Sequence, residues 1–87
     1  MRWEQRTGPG GIDTHTCELP PILGFAHYVI RRDGKFDDQP YRSEFWSHAL
    51  GPLTHERAST LEGAKAWCRQ HLANMIADLQ EARQVAE

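Results

Sequence analysis

Apolar and polar residues alternate through the middle of the chain, and the pattern then changes to a helical period. Between residues 25 and 58, aromatic and β-branched residues form short runs separated by glycine and proline, which is typical of strands joined by turns. From residue 59 onward there is no proline, and apolar residues recur every three or four positions, which predicts one amphipathic helix. The order of these patterns predicts an α+β domain: a β-meander followed by a C-terminal helix.

Three strands are predicted in the central segment, over residues 25–31, about 41–50 and 53–58. Asp33-Gly34 lies between the first two strands and is typical of a hairpin turn. Residues 1–24 contain Gly8-Pro9-Gly10-Gly11 and Pro20-Pro21, so this segment is expected to be irregular or to add short strands. We therefore expect a single domain over residues 1–87, with an antiparallel sheet of three to four strands packed against one long C-terminal helix.

The helix is predicted over residues 59–84. Ser59-Thr60-Leu61-Glu62 matches a capping box, in which the Ser59 hydroxyl caps the first turn and Glu62 reaches back to the cap. A helix ending near residue 83 would be roughly 35 Å long, whereas a six-residue strand spans about 20 Å. The last two turns are therefore predicted to project beyond the sheet, where Leu79 would need another partner, either the N-terminal segment or a second copy of the chain.

The chain contains several short motifs in this order: Trp3, Tyr28-Val29-Ile30, a glycine turn, Leu50-Gly51 and the helix start from Thr60 to Lys65. Over residues 25–72 this pattern resembles a loose class of small uncharacterised prophage and mobile-element proteins with a β-meander and a C-terminal helix. The chain departs from that pattern at Gly63, where a second Glu is usual, and in its longer N-terminal region. The resemblance implies a fold and a phage-like context, and it supplies no catalytic residues.

Charge and hydropathy exclude several classes of protein. The chain has 87 residues, with ten Lys and Arg against twelve Asp and Glu, for a net charge of −2. This balance excludes a strongly basic protein that coats nucleic acid. No apolar run approaches the roughly 18–20 residues of a membrane span, and the first residues are charged. We therefore expect a cytoplasmic protein that does not bind membranes.

The sequence contains no recognisable catalytic or metal-binding motif. There is no Gly-rich phosphate loop and no Ser-His-Asp signature, so we expect a non-enzymatic protein without a cofactor. Cys68 and His71, with His15 and Cys17 far upstream, are residue types that bind zinc. Their spacing is not that of paired zinc knuckles, so we expect no metal site here, but a buried Cys68 thiol and a surface histidine at position 71.

Both faces of the predicted sheet carry large apolar side chains, and one helix can cover only one of them. On the second strand, Tyr41 and Phe45 alternate with Trp46 and Leu50. Two alternatives follow for the uncovered face. Residues 1–24 fold over it and Trp3 fills it, or the face binds a partner, because exposed apolar patches usually mark interfaces.

Under the second alternative, we expect this chain to be a protein-binding module whose partner is a host or phage protein. Under the mobile-element resemblance, its sharpest form is an inhibitor of a host defence protein. The chain would also be able to form a homodimer through the sheet face or through the C-terminal half of the helix. The candidate partner-binding residues are Trp46, Phe45, Tyr41, His48, Val29 and Arg31.

The alternative function is an accessory nucleic-acid-binding module. Arg31, Arg32 and Lys35 cluster at the predicted hairpin tip, where cations would contact phosphates. Asp33, together with further acidic residues next to the tip, offsets most of that charge. A basic stripe across the sheet would favour nucleic acid, whereas an apolar or mixed patch would favour a protein partner.

Overall fold

The protein forms one antiparallel sheet and one long helix. A computed structural model describes residues 1–7, 13–21, 24–33 and 37–86. Its elements are, in chain order, β1 (Glu4–Thr7), β2 (Asp13–Glu18), β3 (Ala26–Arg32), β4 (Tyr41–Ser47), β5 (Gly51–Ala58) and α1 (Leu61–Ala86). The strands lie side by side in sequence order, each antiparallel to its neighbour. The α+β meander with a C-terminal helix is thus confirmed, but the sheet has five strands rather than three or four.

The N-terminal residues supply the additional strands. Glu4 pairs with Thr16 between β1 and β2, and Cys17 pairs with Tyr28 between β2 and β3. This segment therefore widens the sheet instead of folding over its far face, because pairing satisfies the backbone amides of an extended chain. Trp3 packs against the helix-side core, and the Lys65 ammonium lies 5.9 Å from the centroid of its ring. The alternative in which Trp3 fills the far face is wrong.

Side chains on the helix side of the sheet form the core. The alternation predicted for β4 is confirmed, since Ser43 and Phe45 point toward the helix and are buried. The core also contains Cys17, Leu19, Ala26, Tyr28, Ile30, Ala64 and Cys68. Both cysteines are buried free thiols. Ser43 donates a hydrogen bond from Oγ to the carbonyl oxygen of Ala64 at 3.1 Å, which fixes α1 against the centre of the sheet.

Two large apolar residues, Leu50 and Phe25, lie outside the strands and do not contribute to the far face of the sheet. β4 ends at Ser47, whose Oγ accepts hydrogen bonds from the backbone amides of Ala49 and Leu50. Leu50 therefore lies in an exposed turn and is not part of a strand. Phe25 precedes β3 with a positive φ of 53° and is also exposed. The far face is consequently less apolar than predicted.

The helix begins at Leu61 and continues past the end of the sheet. Its cap is Thr60, one residue later than predicted, since Thr60 Oγ1 accepts a hydrogen bond from the backbone amide of Gly63 at 3.0 Å. The predicted projection is confirmed, because all residues from 76 to 83 are exposed, including Ile76 and Leu79. Within the described part of the chain, no helix combines the length and apolar character that crossing a membrane requires.

Parts of two predicted features lie outside the described residues. They are the Gly8-Pro9-Gly10-Gly11 break and the hairpin tip with Gly34 and Lys35.

Candidate functional site

The candidate site is the face of the sheet that points away from α1, which we call the outer face. Cross-strand neighbours share a face and successive residues alternate, so the strand register defines its members. The outer face consists of Glu4, Arg6, Thr14, Thr16, Glu18, His27, Val29, Arg31, Arg42, Glu44, Trp46, Pro52, His55 and Arg57. Among the described residues, no helix or strand covers it. It is therefore open to a partner in the described part of the chain.

Basic side chains form a row across the outer face. Arg6 pairs with Thr14, Thr14 with Arg31, Arg31 with Arg42, and Arg42 with Arg57. At about 4.8 Å between strands, this row spans roughly 19 Å. Four of the five strands thus contribute an arginine to one line.

A buried carboxylate lies at the centre of the outer face. Glu44 is only 7% exposed, although no element lies above it in the described chain. Its Oε1 accepts hydrogen bonds from Arg31 Nε at 2.9 Å and from Trp46 Nε1 at 3.3 Å. Its Oε2 lies 3.2 Å from Arg42 Nε, a contact between charges without hydrogen-bond alignment. Glu44 thereby holds two guanidinium groups and an indole around a single carboxylate.

The arginines of the row are largely neutralised by acidic neighbours. Arg57 Nη2 donates to Asp33 Oδ2 at 2.6 Å, and Arg57 Nη1 donates to Asp33 Oδ1 at 3.1 Å. At the sheet edge, Arg6 forms a long, exposed ion pair with Glu4 at 3.7 Å. Together with the two contacts of Glu44, these pairs make the outer face a mixed patch and not a basic stripe.

An aromatic group lies at one end of the outer face. The rings of His27 and Trp46 stack with their centroids 6.0 Å apart and an angle of 13° between their planes. The His48 ring meets His27 edge-on at 5.0 Å, and His48 Nε2 lies 3.4 Å from Glu18 Oε2. Val29 lies on the same face and is 5% exposed. This end of the face therefore presents flat aromatic rings.

A shallow depression of about 260 Å³ lies on the N-terminal side of the outer face. It is lined by Arg2, Glu4, Arg6, Thr16 and Glu18. Its lining is charged on both signs, so it suits polar groups of either charge.

The predicted partner-binding residues fall into two groups. Trp46, Val29 and Arg31 lie on the outer face, and His48 lies at its edge in the turn after β4. Phe45 and Tyr41 point to the helix side, where Phe45 is 8% exposed and Tyr41 packs against the core. The six residues do not form one surface.

The predicted nucleic-acid residues do not form one surface either. Arg31 lies on the outer face, while the Arg32 guanidinium lies 5.9 Å from the centroid of the Tyr41 ring on the helix side. Lys35 lies outside the described residues.

The residues considered for zinc lie in the interior or at its margin. The prediction of a surface histidine at position 71 is wrong, because His71 Nδ1 lies 2.6 Å from the hydroxyl of the buried Tyr28. Burial raises the pKa of Tyr28 and lowers that of His71, so the contact joins a hydroxyl to a neutral imidazole. Burial also raises the pKa of the Cys68 thiol to about 12. Thiolate formation at Cys68 is therefore disfavoured, which opposes a role as a metal ligand.

Sequence reasoning missed Glu44, Arg42 and Arg57 as members of the site. The period-two alternation in β4 places Arg42, Glu44 and Trp46 on one face, and that pattern was a usable signal. The contribution of Arg57 was not predictable in this way, because it depends on the register between β4 and β5.

The comparisons with known proteins give no further assignment. No protein-family model matches the chain, and neither a curated protein nor a solved structure matches it. The geometry of the outer face therefore carries the functional argument.

Proposed function

We propose that this protein is a non-enzymatic protein-binding module that binds its partner through the outer face. The observation that carries the proposal is Glu44, a buried carboxylate on a face that no described element covers. Burying a carboxylate is costly and seldom stabilises a fold beyond what apolar residues would achieve. At this position its effect is to orient Arg31, Arg42 and Trp46 toward solvent. Arginine and tryptophan are the residue types that contribute most to protein interfaces.

The chemistry of the outer face defines the kind of partner. Arg31 and Arg42 contact Glu44 through Nε, the inner nitrogen of each guanidinium, and the side chain of Arg31 is 47% exposed. Terminal guanidinium nitrogens recognise carboxylates in pairs, and Trp46 adds an apolar ring beside them. We propose a folded protein surface that presents a carboxylate next to an apolar side chain. The resemblance to mobile-element proteins supports a host protein as that partner, with inhibition by occupation of its surface.

Affinity capture with matched variants tests this function. The immobilised protein, Trp46→Ala and Arg31→Ala are compared with Arg69→Ala, which removes the same charge from an exposed position on α1. We expect the two outer-face variants to weaken retention of a captured protein by roughly tenfold or more, equivalent to about 1.4 kcal/mol or more. Arg69→Ala should retain it fully. Equal retention by all variants would reject the outer face as the binding surface.

A second candidate function, nucleic-acid binding, is favoured by the row of Arg6, Arg31, Arg42 and Arg57. Phosphates would have to compete with Glu44 and Asp33 for these arginines, which is why we rank this function second. Fluorescence anisotropy with single- and double-stranded oligonucleotides at low ionic strength distinguishes the two. Binding that weakens steeply with salt and is lost in Arg31→Ala would establish it. The protein-binding proposal predicts no such binding.

A further inference from the structure

We propose that Glu18, His27 and His48 form a binding site for a divalent transition-metal ion of the zinc type, independent of the protein-binding function. One ligand atom from each of these three side chains lies within 4.8 Å of the other two. Two imidazoles and one carboxylate are a donor set that zinc binds in proteins, with a fourth position left for water or another ligand. None of the three was considered for metal binding on sequence grounds.

The fold places the three residues together by strand pairing. Glu18 ends β2 and pairs directly with His27 near the start of β3, so both side chains lie side by side on the outer face. His48 comes from the turn after β4, and its backbone amide donates to the carbonyl oxygen of Phe25 at 3.0 Å. That bond holds the turn beside the beginning of β3. The cluster therefore depends on the sheet and not on chance contacts between long side chains.

The distances are close to those of a coordinated ion. With metal–ligand distances of about 2.0–2.2 Å and tetrahedral angles, ligand atoms lie roughly 3.3–3.6 Å apart. His48 Nε2 and Glu18 Oε2 are already 3.4 Å apart. The remaining adjustment is on the order of an ångström, and Glu18 and His48 are exposed side chains with room to move.

A simple ion pair does not account for all three residues. Pairing with Glu18 explains the position of His48 when that histidine is protonated. It does not explain His27, whose Nδ1 is buried and has no hydrogen-bond partner in the described chain. A buried polar atom without a partner is unfavourable, so the His27 ring carries a polar group that the described chain leaves unsatisfied. The stacked Trp46 ring fixes the orientation of His27, as neighbouring groups do for metal-bound histidines.

Calorimetric titration of the untagged, full-length protein with Zn²⁺ alone is the direct test. We expect one ion per chain, and an affinity reduced by roughly tenfold or more in His48→Gln and Glu18→Gln. The matched control is His55→Gln, an exposed outer-face histidine on β5 that is not a member of the cluster. It should bind Zn²⁺ with unchanged affinity. Both ligand variants alter exposed residues, so their folding is not in question.

Two spectroscopic measurements make the test specific. Co²⁺ should give a visible spectrum without a thiolate charge-transfer band, because Cys17 and Cys68 are not ligands in this proposal. Ni²⁺ should quench tryptophan fluorescence, and Trp46→Phe should remove most of the quenching. Absence of saturable binding, equal Zn²⁺ affinity in His48→Gln and the wild type, or a thiolate band would each overturn the proposal.

Discussion

Phe45 and Trp46 are neighbours in the chain, but their side chains lie on opposite faces of the sheet. Truncating each to alanine therefore compares the packing of the core with that of the outer face at the same place in the fold. Phe45 is 8% exposed, and its ring centroid lies 5.3 Å from that of Tyr28 and 4.8 Å from that of His71. Trp46 is half-buried and contacts His27 and Glu44.

Phe45→Ala should lower the free energy of unfolding by more than Trp46→Ala does. Removing a buried Phe costs about 3–5 kcal/mol, because its contacts are lost and a cavity remains. For Trp46→Ala we expect roughly 2–3.5 kcal/mol, from about 1 for the partial burial of the indole, about 0.5–1.5 for the aromatic pair and about 0.5–1 for a partly solvated hydrogen bond. Glu44 is not left without partners in that variant, since Arg31 and Arg42 still contact it.

Urea unfolding followed by circular dichroism measures both changes without relying on tryptophan fluorescence. A domain of this size has a total free energy of unfolding of roughly 4–13 kcal/mol. The loss expected for Phe45→Ala is close to the lower end of that range. Phe45→Leu provides a milder substitution if the alanine variant fails to fold. The reasoning would be refuted if Trp46→Ala destabilised the protein as much as Phe45→Ala. The outer face would then be packed like a core and would not be available to a partner.

Three further predictions concern the helix side and the helix itself. Burial lowers the pKa of His71, so below about pH 6.5 the unfolded state binds more protons than the folded state. The free energy of unfolding should therefore fall as the pH drops through that value, and His71→Gln should reduce this fall. Cys17 and Cys68 should resist thiol-reactive reagents until urea unfolds the chain, because burial raises the pKa of both thiols and blocks access to them. Rapid labelling of the native protein would contradict this prediction. Backbone amides of residues 76–83 should exchange with solvent at least about tenfold faster than those of residues 64–72, because an unpacked helix end is only marginally stable. Protection of residues 76–83 that increases with protein concentration would instead show a second copy packed on the projecting helix.

Residues with strong local patterns were predictable from the sequence. The presence of the C-terminal helix and the division of β4 into two faces follow from spacing alone, since burial selects side chains every two residues in a strand and every three or four in a helix. β1 was harder to place, because Glu4–Thr7 is polar and exposed throughout. Its position depends on backbone hydrogen bonds to β2, which leave almost no trace in side-chain pattern.

The centre of the candidate site was not predictable for a related reason. When the sequence of β4 is considered alone, a glutamate between Arg42 and Trp46 is expected to be exposed to solvent. Its neighbours in the sheet come from the strand pairing: Val29 lies opposite Glu44 on β3, and Arg31 pairs with Arg42, which places both arginines beside the carboxylate. Alternation gives the face on which a residue lies, but only register gives its neighbours.

If the outer face binds a protein as proposed, the burial of Glu44 would prepare this small, mixed surface for a partner without a deep pocket. The stems of long arginine side chains cover apolar and polar neighbours while their charged ends stay in solvent, and Arg31 and Arg42 are held in this way by one carboxylate. Ordering a side chain upon binding costs about 0.5–1.5 kcal/mol each. For two arginines and Trp46, roughly 1.5–4.5 kcal/mol of that cost would be met during folding, which would be a gain of about tenfold or more in affinity. A buried acid that adds little to stability is therefore consistent with a face whose side chains are fixed before the partner arrives.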